Sequence, residues 1–126
     1  MDVARWALNK NTMPKSVVAL GGRFGYVDDG ETPNTAISVM DYGDSELIFE
    51  VRGLETDPLL NARVGNIVYG TEGYVVFTGY DEAYAFDNKG AQLQHFKGGG
   101  DHYANFLAAV KSRKHEDLHA DIEEGH

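Results

Sequence analysis

The sequence predicts an α+β fold: a mostly antiparallel β-sheet of about six to seven strands, covered on one face by helix. Three observations lead there. After Pro14 the apolar residues recur with a period of two, as in half-buried strands. Short turns rich in Gly, Asn and Asp separate most of these runs, which favours antiparallel hairpins over crossover connections. The clearest helical spacing comes only after the last of them. At 126 residues the chain fits a single domain with one core.

Val3 to Leu8 read as the end of a helix with Val3, Trp6 and Ala7 on one face, stopped by Asn9, Asn11 and Pro14. The expected strands are Val17 to Leu20, Ile37 to Tyr42, Leu47 to Val51, Asn66 to Tyr69, Tyr74 to Thr78, Ala83 to Phe86 and Gln92 to Phe96. Turns at Tyr42-Gly43-Asp44-Ser45, Gly70-Thr71-Glu72-Gly73 and Asp87-Asn88-Lys89-Gly90 carry the residues that tolerate positive φ. Leu54 to Val64, containing Pro58, reads as a longer loop. Asp101 is a good N-cap for a helix carrying Tyr103, Phe106, Leu107 and Val110 at i, i+3, i+4 and i+7, with Lys111, Arg113 and Lys114 suiting its C-terminal dipole. Strands such as Leu47-Ile48-Phe49 and Tyr74-Val75-Val76-Phe77 are apolar on both sides, so a second face needs cover from a partner subunit or another domain.

Charge and composition exclude several function classes. Twenty acidic against eleven basic residues give a net charge of −9, which repels nucleic acid. Without cysteine there is neither a disulfide framework nor a thiolate metal site. No apolar run is long enough to span a bilayer and Asp2 follows Met1 where a basic signal region would stand, so the chain as given reads as soluble, cytoplasmic by default.

The loop from Gly21 to Thr35 concentrates polar side chains between two apolar strands, where a sheet can hold them rigid. Arg23, Tyr26, Asp28, Asp29 and Glu31 form a hydrogen-bonding rim, or else an ordinary solvated hairpin connection. The carboxylates Asp28, Asp29 and Glu31 offer a weaker alternative as the acid and base of glycoside hydrolysis. His115-Glu116-Asp117-Leu118-His119 matches H-E-x-x-H, in which two histidines one helical turn apart bind zinc and the glutamate activates water. Glu123 or His126 would supply a third ligand; a solvated helix start is the plain alternative. Lys97-Gly98-Gly99-Gly100 leads from a strand into a helix, as a phosphate cradle would, but forms neither G-x-G-x-x-G nor a Walker loop, and a tight turn or hinge explains it. His102 follows that turn, as a site residue or as a capping or surface residue. No serine sits in a nucleophile elbow.

Asp2-Val3-Ala4-Arg5-Trp6-Ala7-Leu8, Pro14-Lys15-Ser16-Val17-Val18, Gly21-Gly22-Arg23-Phe24 and Asp28 to Thr35 resemble, in order and spacing, the C-terminal half of Gfo/Idh/MocA-type oxidoreductases, bacterial subtype. Phe49 to Gly53, Gly99 to Phe106 and Asp117 to His126 extend the resemblance over nearly the whole chain. It implies a substrate-binding and oligomerisation domain of an NAD(P)-dependent enzyme acting on sugars or polyols. In such enzymes an N-terminal Rossmann domain holds the cofactor, a Glu-Lys-Pro lysine lies beside the nicotinamide, and the histidine of an H-x-x-D motif handles the substrate proton. Asp2 is similar to that motif's aspartate, so its histidine would precede Met1, and the end at Glu124-Gly125-His126 precedes a helix that relatives possess. The expectation is therefore a domain truncated at both ends, inactive alone, with no catalytic or cofactor-binding residues of its own. It would self-associate through the open sheet face and line a polyol pocket with Arg23, Tyr26, Asp28, Asp29 and His102. Two other readings stand beside it: a self-sufficient carbohydrate- or protein-binding module, and a zinc hydrolase using His115, Glu116 and His119.

Overall fold

The computed structural model describes residues 2–125. The elements are α1 (Asp2–Ala7), β1 (Ser16–Gly22), β2 (Thr35–Asp41), β3 (Glu46–Arg52), β4 (Asn66–Tyr69), β5 (Gly73–Phe77), β6 (Glu82–Asp87), β7 (Gln92–Lys97), α2 (His102–Ser112), a 3₁₀ turn (His115–Asp117) and α3 (Ile122–Gly125). The fold is α+β and mostly sheet, with all strand pairs antiparallel. Among the described residues the seven strands are divided into a three-stranded sheet, order β1-β2-β3, and a four-stranded sheet, order β4-β5-β6-β7. They belong to two compact units, Val3–Leu59 and Leu60 onward.

In the first unit β1, β2 and β3 run in continuous register, with Leu20 opposite Ile37 and Ile37 opposite Glu50. Opposed residues share a face, so Val18, Leu20, Val39, Ile37, Ile48 and Glu50 stand on one side of the sheet. Leu47, on the other side, is buried, as is Tyr42 at the turn that follows β2. That turn closes through the Tyr42 N–H, which donates to the Ser45 carbonyl at 2.9 Å. Lys10, just beyond α1, reaches it and bonds both oxygens of Asp44 at 2.7 Å. This contact holds the Asp44 carboxyl below the usual carboxylate range.

In the second unit Val76 of β5 is 1% exposed, and Ala83 of the neighbouring β6, opposite Phe77, is also buried. Tyr74 and Phe86 face each other across β5 and β6 and stack at 5.1 Å, and Tyr69 adds a third ring at 5.8 Å from Tyr74. The β6–β7 turn needs Gly90, whose φ of +83° is the left-handed conformation that L side chains resist. Asp87 fastens this turn by accepting from the Lys89 and Ala91 N–H groups, each at 2.8 Å. A register shift between Ala85 and Phe86 then interrupts the β6–β7 ladder: Phe86 lies opposite Gln92, but Ala85 lies opposite Gln94. Leu93 is the extra residue of a β-bulge.

Asp101 caps α2 by accepting from the Ala104 N–H at 2.9 Å, and Arg113 ends the helix in the left-handed region, its N–H on the Ala109 carbonyl. Asn105 ties α2 to the 3₁₀ turn, donating to the Asp117 carbonyl at 2.8 Å and accepting from the His119 N–H at 3.0 Å. Of the helix's apolar stripe, Tyr103, Phe106, Leu107 and Val110 all retain exposed surface, while Ala109 is buried.

Candidate functional site

The loop between β1 and β2 is closed at its neck by one residue that the sequence pattern does not advertise. Asn34 is buried, and its side chain and backbone are all engaged. Its Nδ2 donates to the Phe24 carbonyl at 2.9 Å and its Oδ1 accepts from the Phe24 N–H at 3.1 Å, so the amide imitates the paired bonds of a strand neighbour. Its own N–H donates to the Gly22 carbonyl at 3.1 Å, and its carbonyl accepts from the Gly53 N–H at 2.6 Å. The only cue in the sequence is an Asn after Pro33, which reads as generic turn chemistry.

Above that neck Arg23 organises the rim. Its guanidinium donates to the Thr32 carbonyl at 2.5 Å and forms an ion pair with Asp28, whose Oδ1 also accepts from the Gly30 N–H at 3.0 Å. Gly30 lies against the guanidinium, where a β-carbon would come 2.7 Å from Nη1. Tyr26 places its ring centroid 5.9 Å from the guanidinium carbon. Arg23, Tyr26 and Asp28 are thus brought together, with Asp29 exposed beside them. The Arg23–Asp28 pair fixes the loop, with the guanidinium also held on the Thr32 carbonyl. His102 belongs to the second unit, as the first residue of α2, and its ring rests 4.1 Å from that of Tyr103.

Below the rim, an open groove of about 500 Å³ runs over the end of the three-stranded sheet. Leu20, Phe24 and Ile37 supply its apolar wall. Glu50 and Arg52 border it as an ion pair, with Arg52 Nε at 2.7 Å and Nη2 at 2.6 Å from the same carboxylate oxygen.

The second unit carries a polar cluster that periodicity alone does not reveal. Glu82 and Tyr84 point to the same face of β6, and the register places Lys97 and His95 of β7 directly opposite them. The His95 ring stacks on Tyr84 at 4.4 Å and 1°, with its Nε2 2.9 Å from Glu82 Oε1. The Tyr84 hydroxyl, followed by His95, holds the Glu82 carboxyl below its ordinary range, and the same Glu82 bond pushes the Tyr84 phenol up. Glu82, His95 and Lys97 border a second groove of about 420 Å³ with Tyr80, Asp81 and Phe96. Each member is separately visible in the sequence; only the bulged register assembles them.

The zinc pattern does not acquire the backbone it needs. His115–Asp117 is a single 3₁₀ turn and Leu118 is extended at φ −75°, ψ 131°, so His115 and His119 do not stand one α-helical turn apart on a common face. His115 instead bonds Asp121 through Nδ1 at 2.7 Å, which, with Glu116, raises its pKa above the ordinary histidine value. Among the described residues no cluster of three or more His, Asp or Glu side chains is arranged to hold a metal ion; His126 lies outside them. At the start of α2 the Asp101 carboxylate itself accepts from the Ala104 N–H at 2.9 Å, an ordinary N-cap. No helix among the described residues is long and apolar enough to cross a membrane.

No protein-family model matches the chain, and no curated protein matches it. Among solved structures, the fold is similar to a crystal structure from Klebsiella pneumoniae of a protein provisionally designated an oxidoreductase, at 18% sequence identity and a TM-score of 0.61. The likeness covers 89% of this chain but 37% of that one, so the chain spans little more than a third of the length of the protein it matches, and what the two share is the fold.

Proposed function

We propose that this chain acts as the substrate-side and assembly domain of a Gfo/Idh/MocA-like, NAD(P)-dependent oxidoreductase of sugars or polyols, with the Rossmann domain supplied elsewhere. The observation that carries the proposal is the fold likeness over 89% of this chain to just 37% of a protein designated an oxidoreductase. In that role the Arg23–Asp28 clamp, Tyr26 and Asp29 line the hydroxyl-binding wall. Polyol hydroxyls suit these groups because each hydroxyl both donates and accepts, and charged partners strengthen the bonds. The apolar groove beside the rim would take the carbon face of the same ligand. The open sheet face is the surface proposed for self-association.

Hydride transfer requires a nicotinamide held against the substrate carbon and a base for the hydroxyl proton. The reading assigns cofactor binding to the Rossmann domain. The test is NADH fluorescence together with calorimetry against a sugar and polyol panel. Expected are no saturable NADH enhancement with this chain alone, and polyol binding that weakens in Arg23→Ala. Tight NADH binding by the isolated chain would overturn the division of labour.

A further inference from the structure

The loop between β1 and β2 carries a chemically labile step. Asp29 is the only aspartate in the chain followed by glycine, and no asparagine is. A glycine nitrogen is the least hindered nucleophile toward the carboxyl that precedes it, because its residue has no side chain. When that carboxyl is protonated the nitrogen attacks Cγ, the N–H proton and the carboxyl OH leave as water, and a succinimide ring closes. Water then adds back. Opening at Cγ restores aspartate, whereas opening at the main-chain carbonyl leaves Gly30 joined to Cγ, as isoaspartate of unchanged mass.

The two reacting groups are held very differently. The Asp29 side chain is exposed and has no hydrogen bond or ion pair among the described residues. Two other turn aspartates are occupied: Asp44, before Ser45, places both oxygens on Lys10, and Asp87 accepts from the Lys89 and Ala91 N–H groups. The Gly30 nitrogen, in contrast, is captured, donating its N–H to Asp28 Oδ1 at 3.0 Å. The same oxygen is paired with Arg23, whose Nη1 donates to the Thr32 carbonyl at 2.5 Å, so one guanidinium straps the segment from Asp28 to Thr32. The Gly30 backbone lies against that strap, where a β-carbon would come 2.7 Å from Nη1. Ring closure needs the Gly30 nitrogen to leave Asp28 and turn toward Asp29.

We propose that Asp29–Gly30 is a modification site at which aspartate converts to isoaspartate, and that the Arg23–Asp28 clamp slows the conversion by holding the attacking nitrogen. Isoaspartate adds a methylene to the main chain inside the strap and leaves the free carboxylate directly on the Asp29 Cα. The span from Asp28 to Thr32 then no longer matches the guanidinium, so the conversion unfastens the clamp that delayed it. The inference does not depend on the dehydrogenase reading.

The full chain is incubated at physiological temperature and mildly acidic pH, natively and in guanidinium. Residue 29 is followed by peptide mapping, in which isoaspartate shifts retention at constant mass. Expected is conversion in guanidinium that is slowed about tenfold in the native chain, the factor that a hydrogen bond to a charged acceptor supplies. Asp28→Ala should restore most of the denatured rate. Asn34→Ala loosens the neck of the loop but keeps the Arg23, Asp28 and Gly30 bonds, and should stay near the native wild-type rate. Amide exchange at Gly30 should be slow in the wild type and fast once residue 29 has converted, a readout that needs no variant to fold. Equal rates in the native and denatured chain overturn the inference, as does unprotected Gly30 in the unconverted wild type. So does Asn34→Ala accelerating conversion as much as Asp28→Ala, because general loosening of the loop is then the cause. No isoaspartate at residue 29 under any of these conditions removes the site.

Discussion

Replacing Asn34 by alanine tests whether one buried amide holds the neck of the β1–β2 loop. The substitution removes the donor to the Phe24 carbonyl at 2.9 Å and the acceptor from the Phe24 N–H at 3.1 Å, and leaves the backbone bonds to Gly22 and Gly53 in place. A net intramolecular hydrogen bond contributes about 1 kcal/mol, so the two together give about 2 kcal/mol, and more if the Phe24 groups find no water. Thr35 Oγ1, at 3.3 Å from Asn34 Oδ1, contributes little to this sum. Equilibrium denaturation should therefore show a free energy lower by about 2 kcal/mol at unchanged m. Amide exchange should accelerate first at Phe24. Asn34→Asp keeps the acceptor but sets a carboxylate against the Phe24 carbonyl, so it should not rescue the loss. A change in Asn34→Ala of less than about 0.5 kcal/mol, the range of ordinary surface substitutions, would refute the reasoning.

Three further outcomes follow from other parts of the fold. Gly73→Ala builds a β-carbon into the Phe86 backbone carbonyl, so the β5–β6 ladder must open, at a cost of about 1–3 kcal/mol measurable by denaturation. Glu82→Gln should return the Tyr84 phenol toward its ordinary value, followed by NMR. Because that phenol is raised in the folded protein, its stabilising contribution is complete below about pH 10 and is lost as pH rises through the raised value; Glu82, being depressed, contributes above about pH 4.3 and loses this as pH falls through its lower value. His115 is raised chiefly by Asp121, so the link it makes to the start of α3 is at full strength below about pH 6.5 and fades as pH rises through the raised value. In Asp121→Asn the His115 resonance should titrate at lower pH, and an unchanged midpoint would remove Asp121 as the cause.

Much of the fold is legible in the sequence because its signals are local. Period-two runs such as Val17 to Leu20 and Gln92 to Phe96 fall inside β1 and β7, and Asp101 caps α2 through the bond that residue type favours. The division of the strands between two sheets is not local: it depends on which edges pair across the Leu54 to Val64 loop, and no periodicity encodes that. The same limit governs the sites. Arg23 and Asp28 are five residues apart and could be paired from the sequence, whereas Glu82 and His95 are thirteen apart and meet only through cross-strand register. Asn34 hides because its role depends on the backbone of Phe24, ten residues earlier. H-E-x-x-H misleads for the opposite reason, since the pattern specifies residues and spacing but not the α-helix that gives the spacing its meaning.

The bulge at Leu93 makes the length of β7 part of its chemistry. At the turn, residue numbers of opposed partners sum to a value one lower than they do beyond the bulge, as Phe86 with Gln92 and Tyr84 with His95 show. Delete that single codon and the turn's register runs on unshifted past Phe86, so Gln94, His95 and Lys97 keep Ala85, Tyr84 and Glu82 opposite them and the bulge simply heals; keep Leu93 but pair it regularly, and Gln94 and Phe96 would stand opposite Tyr84 and Glu82 instead. The insertion is therefore a phase adjuster, reconciling a tight turn with a polar pairing several residues away. Homologues lacking it could retain the cluster without the kink, and gap placement in any alignment across β7 would decide whether the histidine is counted as shared.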